Sequence, residues 1–280
     1  MTRKEFLLAL PGAAAVAHTA AGEPVRRKLL IVVAHPDDEY AFAATTYRLT
    51  RELGWAADLV VITNGEGGYR YSALAESVYG VSLTKEREGR SRLPAIRRKE
   101  AVSGGKVLGI RHHYFLDQQD SGFARDAAKA PAGNWDRSRI LNVLGDLLHR
   151  EAYDAVFTLL PMAETHGHHR AATQMAMEAV AAVEEGRRPL VLGAEPRGAD
   201  EAVARFAGVE PALTFDRNTS FGYQNALSYQ IVVNWFIAEH KSQGLFQTDC
   251  GRHRWEEFWV LAAGGRDVCS LAAELKGGCS

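Results

Sequence analysis

Leu29-Leu30-Ile31-Val32-Val33 is an unbroken apolar run that ends directly in Ala34-His35-Pro36-Asp37-Asp38-Glu39. A strand without polar alternation must be covered on both faces, which is the mark of a parallel sheet lying between helices. Strand patterns at 58–63, 113–116, 154–160 and 189–192 follow, separated by helical patterns at 38–53, 95–108, 138–149 and from about 169 onward. A helix at 229–242 and a strand at 255–261 close the series. This alternation predicts βαβ units and a Rossmann-like α/β fold, with a mostly parallel sheet, helices on both faces and a single domain. Gly54 supplies a C-cap for the first helix. Two stretches interrupt the rhythm, at 64–94 and 193–218, and a connection as long as the first is usually functional or disordered.

With 280 residues, 46% of them hydrophobic and 24% charged, the chain can build a core without staples. The formal net charge of −1 provides no global field for nucleic acid or an anionic membrane, so neither is an expected partner. The three cysteines, Cys250, Cys269 and Cys279, cannot all pair within one monomer. None forms a CxxC pair, which argues against a cysteine-built zinc site.

The first residues have the layout of an export signal over 1–20, ahead of a domain at 25–280. The start is basic, residues 6–17 are mostly apolar, and Ala15-Val16-Ala17 offers a small-x-small cleavage site. The apolar run carries Pro11 and Gly12 and is too short to span a bilayer, so no integral membrane segment is expected in the mature chain. Thr2-Arg3-Lys4-Glu5-Phe6-Leu7 resembles a twin-arginine signal with lysine in the second arginine position. The expected location is periplasmic or extracellular, with a mature start after Ala17 or Ala20.

Ligands of open α/β sheets bind beyond the carboxyl ends of the strands. A dinucleotide-binding chain would place a glycine-rich turn after its first strand, whereas here that turn holds an imidazole and three carboxylates and no glycine. Carboxylates this close repel unless a cation or a proton intervenes, and histidine with aspartate makes a good zinc donor pair. Pro36 biases His35 away from helical geometry, and the step from His35 to Asp38 lets both side chains face one centre. Asp37 then projects differently and is free to accept a proton. Helix capping by Asp37 or Asp38 is the competing reading, and it leaves His35 without a role.

A second cluster, His166-Gly167-His168-His169-Arg170, follows the 154–160 strand at the same edge. The spacing of His166 and His169 can aim both rings into one cavity. His168 is expected to be an exposed loop residue.

His35-Pro36-Asp37-Asp38-Glu39 after an apolar strand, with His166-x-x-His169-Arg170-Ala171-Ala172 much later, resembles the PIG-L/LmbE family of N-deacetylases. The resemblance extends more weakly to His240-Lys241-Ser242-Gln243. In the second motif the family commonly has His-Pro-Asp-His, where this chain has Gly167 and His168 in the middle. The resemblance implies a zinc-dependent hydrolase that removes an acetyl group from an N-acetylglucosamine-type sugar or glycoconjugate. It implies His35, Asp38 and His169 as metal ligands, Asp37 as general base, and His166 as the group that, once protonated, assists the oxyanion or leaving group. It also places Arg97 and Asp120 at the substrate. Ferrous iron suits the same ligand set. Hydrolysis of another amide or an ester, or carbohydrate binding by a vestigial site, are the competing functions, and the spare carboxylate of Asp37 argues against the last. Tyr69, Tyr71 and Tyr79 are candidates for a sugar-stacking lid, and His112-His113 are read as structural.

Overall fold

The computed structural model describes residues 26–123, 125, 135–244, 251–265 and 267–276. The expected leader lies outside the described residues, as do Cys250 and Cys279, while Cys269 is exposed.

Seven strands form one sheet, β1 (Lys28–Val33), β2 (Ala56–Thr63), β3 (Ile110–Gln118), β4 (Ala155–Leu159), β5 (Leu190–Gly198), β6 (Leu213–Asp216) and β7 (His253–Ala262). Their spatial order is β3-β2-β1-β4-β5-β7-β6, parallel from β3 through β5 and antiparallel at β7 and β6. The helices are α1 (Ala43–Tyr47), α2 (Glu76–Tyr79), α3 (Glu86–Leu108), α4 (Arg137–Glu151), α5 (Gly167–Ala181), α6 (Tyr229–Glu239) and α7 (Val268–Leu275). The period-2 geometry of β1 sorts its apolar run onto two cores. Leu29, Ile31 and Val33 face a cluster that includes Phe42, Leu49, Val232 and Phe236. Leu30 and Val32 face Ile140 and Leu144 of α4 and Ala172 and Met175 of α5. Helices therefore cover both faces, and a Rossmann-like α/β sheet results.

The chain leaves β1 for β2 and β3 on one side, then returns to β4 and β5 on the other. The carboxyl ends of β1 and β4 consequently flank a topological switch point, where side chains from both following turns can meet. The opposite edge is structural. There Asp58 takes hydrogen bonds from Arg111 and Tyr153 and pairs with His112 at 2.9 Å, in keeping with the structural reading of that histidine pair.

Three stretches differ from the sequence reading. The helix expected at 95–108 begins at Glu86 and contains Pro94, and the connection before it holds 3₁₀ turns at Glu66–Tyr71 and Ala73–Ala75. Proline costs a helix one backbone hydrogen bond, but burial of Leu93 with Tyr69, Ala75 and Leu83 carries the earlier turns through. The expected 38–53 helix is a composite of a 3₁₀ turn at Asp38–Phe42, the short α1, and a π turn at Arg48–Glu52 ahead of Gly54 at φ 73°. Its middle is capped from afar, because Glu256 of β7 accepts from the amides of Ala44 at 2.9 Å and Thr45 at 2.8 Å. Glu256 is in turn paired with fully buried Arg217 at 2.9 Å. The irregular 193–218 stretch contains the extension of β5 to Gly198 and the whole of β6, both hydrogen-bonded to β7. Among the described residues, no helix is long and apolar enough to cross a membrane.

Candidate metal centre and active site

The turn after β1 is shaped by its own acids. Asp38 Oδ2 accepts hydrogen bonds from the backbone amides of Ala34 at 3.0 Å and His35 at 2.8 Å, which folds the carboxylate back onto the strand end. Asp37 sits at φ 116° and makes no side-chain cap to the turn that follows. A residue with a side chain enters that backbone region at a cost of about 1–3 kcal/mol and needs surroundings that hold it there. Arg97 of α3 supplies them. Its guanidinium donates to the carbonyls of Pro36 and Gly65 and lies 2.9 Å from Asp37 Oδ2. The capping reading of the acids therefore does not hold.

His169, in the first turn of α5, meets this turn across the switch point. His169 Nε2 stands 3.1 Å from His35 Nδ1 and 3.1 Å from Asp38 Oδ1, and His35 Nδ1 is 3.5 Å from Asp38 Oδ2. Donors held at about 2.0–2.1 Å by a tetrahedral zinc stand roughly 3.3–3.4 Å apart, and this trio brings one donor atom from each residue within 4.8 Å of the others, a group that could hold such an ion. Two imidazoles and one carboxylate suit ferrous iron equally. Burial opposes the charge on Asp38, but His169 and His35 outweigh it and hold its carboxyl well below the usual range. Burial likewise opposes protonation of His35, and Asp38 and Asp120 outweigh that, raising it.

His168 corrects the sequence reading. It is fully buried, not an exposed loop residue. Its Nδ1 lies 3.1 Å from His35 Nε2, its Nε2 lies 3.1 Å from Ser121 Oγ, and its ring packs on Trp135 at 5.1 Å between centroids. At a helix start, successive residues turn by about 100°, so His168 points under the β1 turn while His169 points at its mouth. Asp120 joins the same side of His35, with Oδ1 3.5 Å from His168 Nδ1 and Oδ2 3.9 Å from His35 Nε2. The amides of Gly67 and Gly122 donate to its two oxygens at 3.1 and 2.8 Å. Asp120 is only 4% exposed, and it supports His35 as well as lining the cavity.

His166 precedes α5, where its Nδ1 accepts from the backbone amide of His168 at 3.0 Å. That leaves its proton on Nε2. Burial, with the nearby histidines, pushes its pKa down to about 3, and in its neutral form the ring is an N–H donor through Nε2. Phe123 packs edge-on against it at 5.1 Å.

A cavity of about 390 Å³ opens over these groups, with Asp37 and His166 on its wall and Tyr71, Phe236 and Ile237 as apolar lining. Burial pushes Asp37 up to about 6 against the pull of Arg97, which places a base within reach of neutral pH. Glu39 is pushed up by burial to about 8 while its Oε2 accepts from the Asp37 amide at 3.0 Å. Its carboxyl thereby serves the turn.

Arg97 lines the cavity but is 3% exposed, and its NH1 and NH2 are committed to the β1 turn, to Gly65 and to Asp37. Glu100, one turn further along α3, accepts from the Ser242 amide at 2.8 Å and the Ser242 hydroxyl at 2.6 Å. It thereby fixes the segment from His240 to Gln243, both of which reach the cavity. Of the three tyrosines, Tyr71 lines the cavity, Tyr69 is in a small core, and Tyr79 donates to Glu100 at 2.6 Å. Sequence reasoning missed Trp135, the contact of Ser121 with His168, and the inward face of His168. The only local signal was the density of histidines after β4.

A helix-flanked parallel sheet thus carries, at its switch point, a two-histidine, one-carboxylate group that could hold a metal ion, with a spare carboxylate beside it. Residues 30–180 match the family described as PIG-L, GlcNAc-PI de-N-acetylase, and the chain belongs to that family of deacetylases. No curated protein sequence matches the chain significantly. Among solved structures, N,N'-diacetylchitobiose deacetylase from Pyrococcus horikoshii is similar at a TM-score of 0.53 and 19% identity, over 84% of each chain. GalB, the 4-carboxy-2-hydroxymuconate hydratase from Pseudomonas putida KT2440, is similar at 0.57 and 17% identity, over 86% of this chain and 98% of its own. A deacetylase of the teicoplanin biosynthesis pathway is similar at 0.53 and 16% identity, over 82% of this chain and 97% of its own. At these identities the likeness is one of fold.

Proposed function

We propose that the chain is a zinc-dependent N-deacetylase that hydrolyses the acetamide of an N-acetylglucosamine-type sugar or glycoconjugate. A hydratase shares the fold, so fold alone does not choose the reaction. The reading is carried by one observation. The donors of His35, Asp38 and His169 stand 3.1–3.5 Å apart on a cavity wall that also holds the carboxylate of Asp37.

His35, Asp38 and His169 would hold the ion. When bound, it supplies a Lewis acid that polarises the acetamide carbonyl and acidifies water. Asp37, kept beside it by Arg97, takes the proton of the attacking water and hands it to the departing amine. The Nε2–H of neutral His166 donates to the oxygen on which negative charge develops. The apolar wall of Phe236 and Ile237 excludes water from the acyl side.

Acetate release from N-acetylglucosamine and its β-linked dimer, before and after chelation and re-addition of zinc or ferrous iron, tests this reading. Activity should vanish with the metal and return with it, and His169→Ala should lose the metal. Undiminished hydrolysis by fully metal-free protein would overturn the metal-dependent mechanism. Hydrolysis confined to simple esters would overturn the sugar.

A further inference from the structure

A second cavity, of about 380 Å³, adjoins the first, and Glu164 and Thr165 line both. Its wall includes Glu195 and Arg197 of β5, Glu257 of β7, and Glu201 beyond the end of β5. Glu195 and Glu257 are direct partners in the antiparallel ladder, so their side chains leave the sheet on the same face. Like charges in that relation repel.

Arg197 is the sole cation among the described residues lining this cavity, where it stands against four carboxylates, Glu164, Glu195, Glu201 and Glu257. Its Nε donates to Glu257 Oε1 at 2.8 Å, and its NH1 donates to the carbonyls of Glu201 at 2.8 Å and Gly198 at 3.3 Å. Glu257 is 1% exposed, and its other oxygen, Oε2, is buried with no hydrogen-bond partner. A native protein rarely leaves a buried carboxylate oxygen in that state unless something outside the chain supplies the donor. Burial first, and then the Glu201 carboxylate, push Glu195 up to about 7.

The clusters of metal donors whose atoms lie within 4.8 Å of one another, among the described residues, are both at the first cavity. Glutamates spread around a hollow suit a cation that carries several donors and brings a body with it, as an organic ammonium does.

We propose that this second cavity is a subsite for a primary ammonium group, namely the free amine of an amino sugar flanking the N-acetylated one. The proposal rests on the deacetylase reading for the identity of the molecule, since such an enzyme meets partly deacetylated chains whenever its substrate has more than one sugar. Glu195 and Glu257 receive the ammonium, Glu201 adds charge at the rim, and Thr165 marks the passage to the reacting acetamide.

The test compares β-linked glucosamine dimers carrying an acetyl group on both sugars or on either one alone. The wild-type protein should hydrolyse one mono-acetylated dimer with a kcat/KM about tenfold above that of the diacetyl dimer, as expected for charge recognition at a cleft. Glu195→Gln and Glu201→Gln, which keep the side-chain shape, should each erase most of that preference and leave kcat/KM on monomeric N-acetylglucosamine within about twofold. Glu201 is exposed, so its replacement does not threaten folding. An equal kcat/KM for neutral and cationic dimers in the wild type, or a preference that survives both substitutions, would overturn the subsite. If no dimer is hydrolysed the deacetylase reading fails by itself, and calorimetry with the fully deacetylated dimer then decides the subsite. Binding weakened by Glu195→Gln, and not displaced by magnesium, supports it. Binding unaffected by that change, or none, overturns it.

Discussion

The Nε2 of His35 lies 3.1 Å from Nδ1 of His168, while the other nitrogen of His35 faces His169 and Asp38. One ring thus joins the ligand cluster to a buried relay that runs through His168 to Ser121 Oγ. An outer partner of this kind fixes a ligating histidine's tautomer and orientation. His168→Ala should therefore weaken metal affinity by about 10–100-fold, read as metal content under competition with a chelator. Ser121→Ala, one step further out, should show a smaller loss. Wild-type affinity in His168→Ala would reduce the ring to a packing partner of Trp135.

Asp37→Asn removes the proton acceptor and keeps the size of the side chain. Hydrolysis should fall by about 10²–10⁴-fold with metal content unchanged. In the wild type the base must be ionised, and its pKa is raised to about 6, so kcat/KM should decline as pH falls through that value. An acid limb that persists unaltered in the residual activity of Asp37→Asn would assign the titration to another group.

Arg97 is placed to hold Asp37 rather than to reach outward. Loss of a buried cation that neutralises a carboxylate costs about 3–5 kcal/mol, so Arg97→Ala should lower the denaturation midpoint. It should also depress kcat on sugar and ester substrates alike, because both use Asp37. A raised KM confined to sugars, with ester kinetics and stability intact, would instead support the substrate-holding role that the family resemblance implies.

Glu256 accepts from Arg217, Ala44 and Thr45 in the interior, and Arg217 donates in addition to the carbonyls of His253 and Tyr40. Glu256→Ala leaves a buried guanidinium without its counter-charge and two helix amides without their acceptor, and should cost about 3–5 kcal/mol of stability by denaturant titration. Arg217→Ala should cost less, because the carboxylate keeps its two amide donors. The reverse ranking would show that the guanidinium's bonds to the carbonyls dominate.

Local pattern was enough for much of this molecule. The apolar run of β1, the alternation through β5, and His35-Pro36-Asp37-Asp38 at a strand end are legible because burial on two faces and turn chemistry act over a few residues. Parallel order then sends every such turn to one edge, which is why His35 and His169, 134 positions apart, could be assigned to one site. Other features depend on partners that no local window contains. Pro94 lies inside α3 because Leu93 is buried against the Tyr69 segment. Strands β5 and β6 gain their extent from β7, which arrives from the far end of the chain. The inward turn of His168, the clasp of Arg97 on Asp37 and the carboxylate-rich second cavity were decided by tertiary structure alone. Each depends on the rotation of a helix or the register of a strand, and those are set by packing across the whole core.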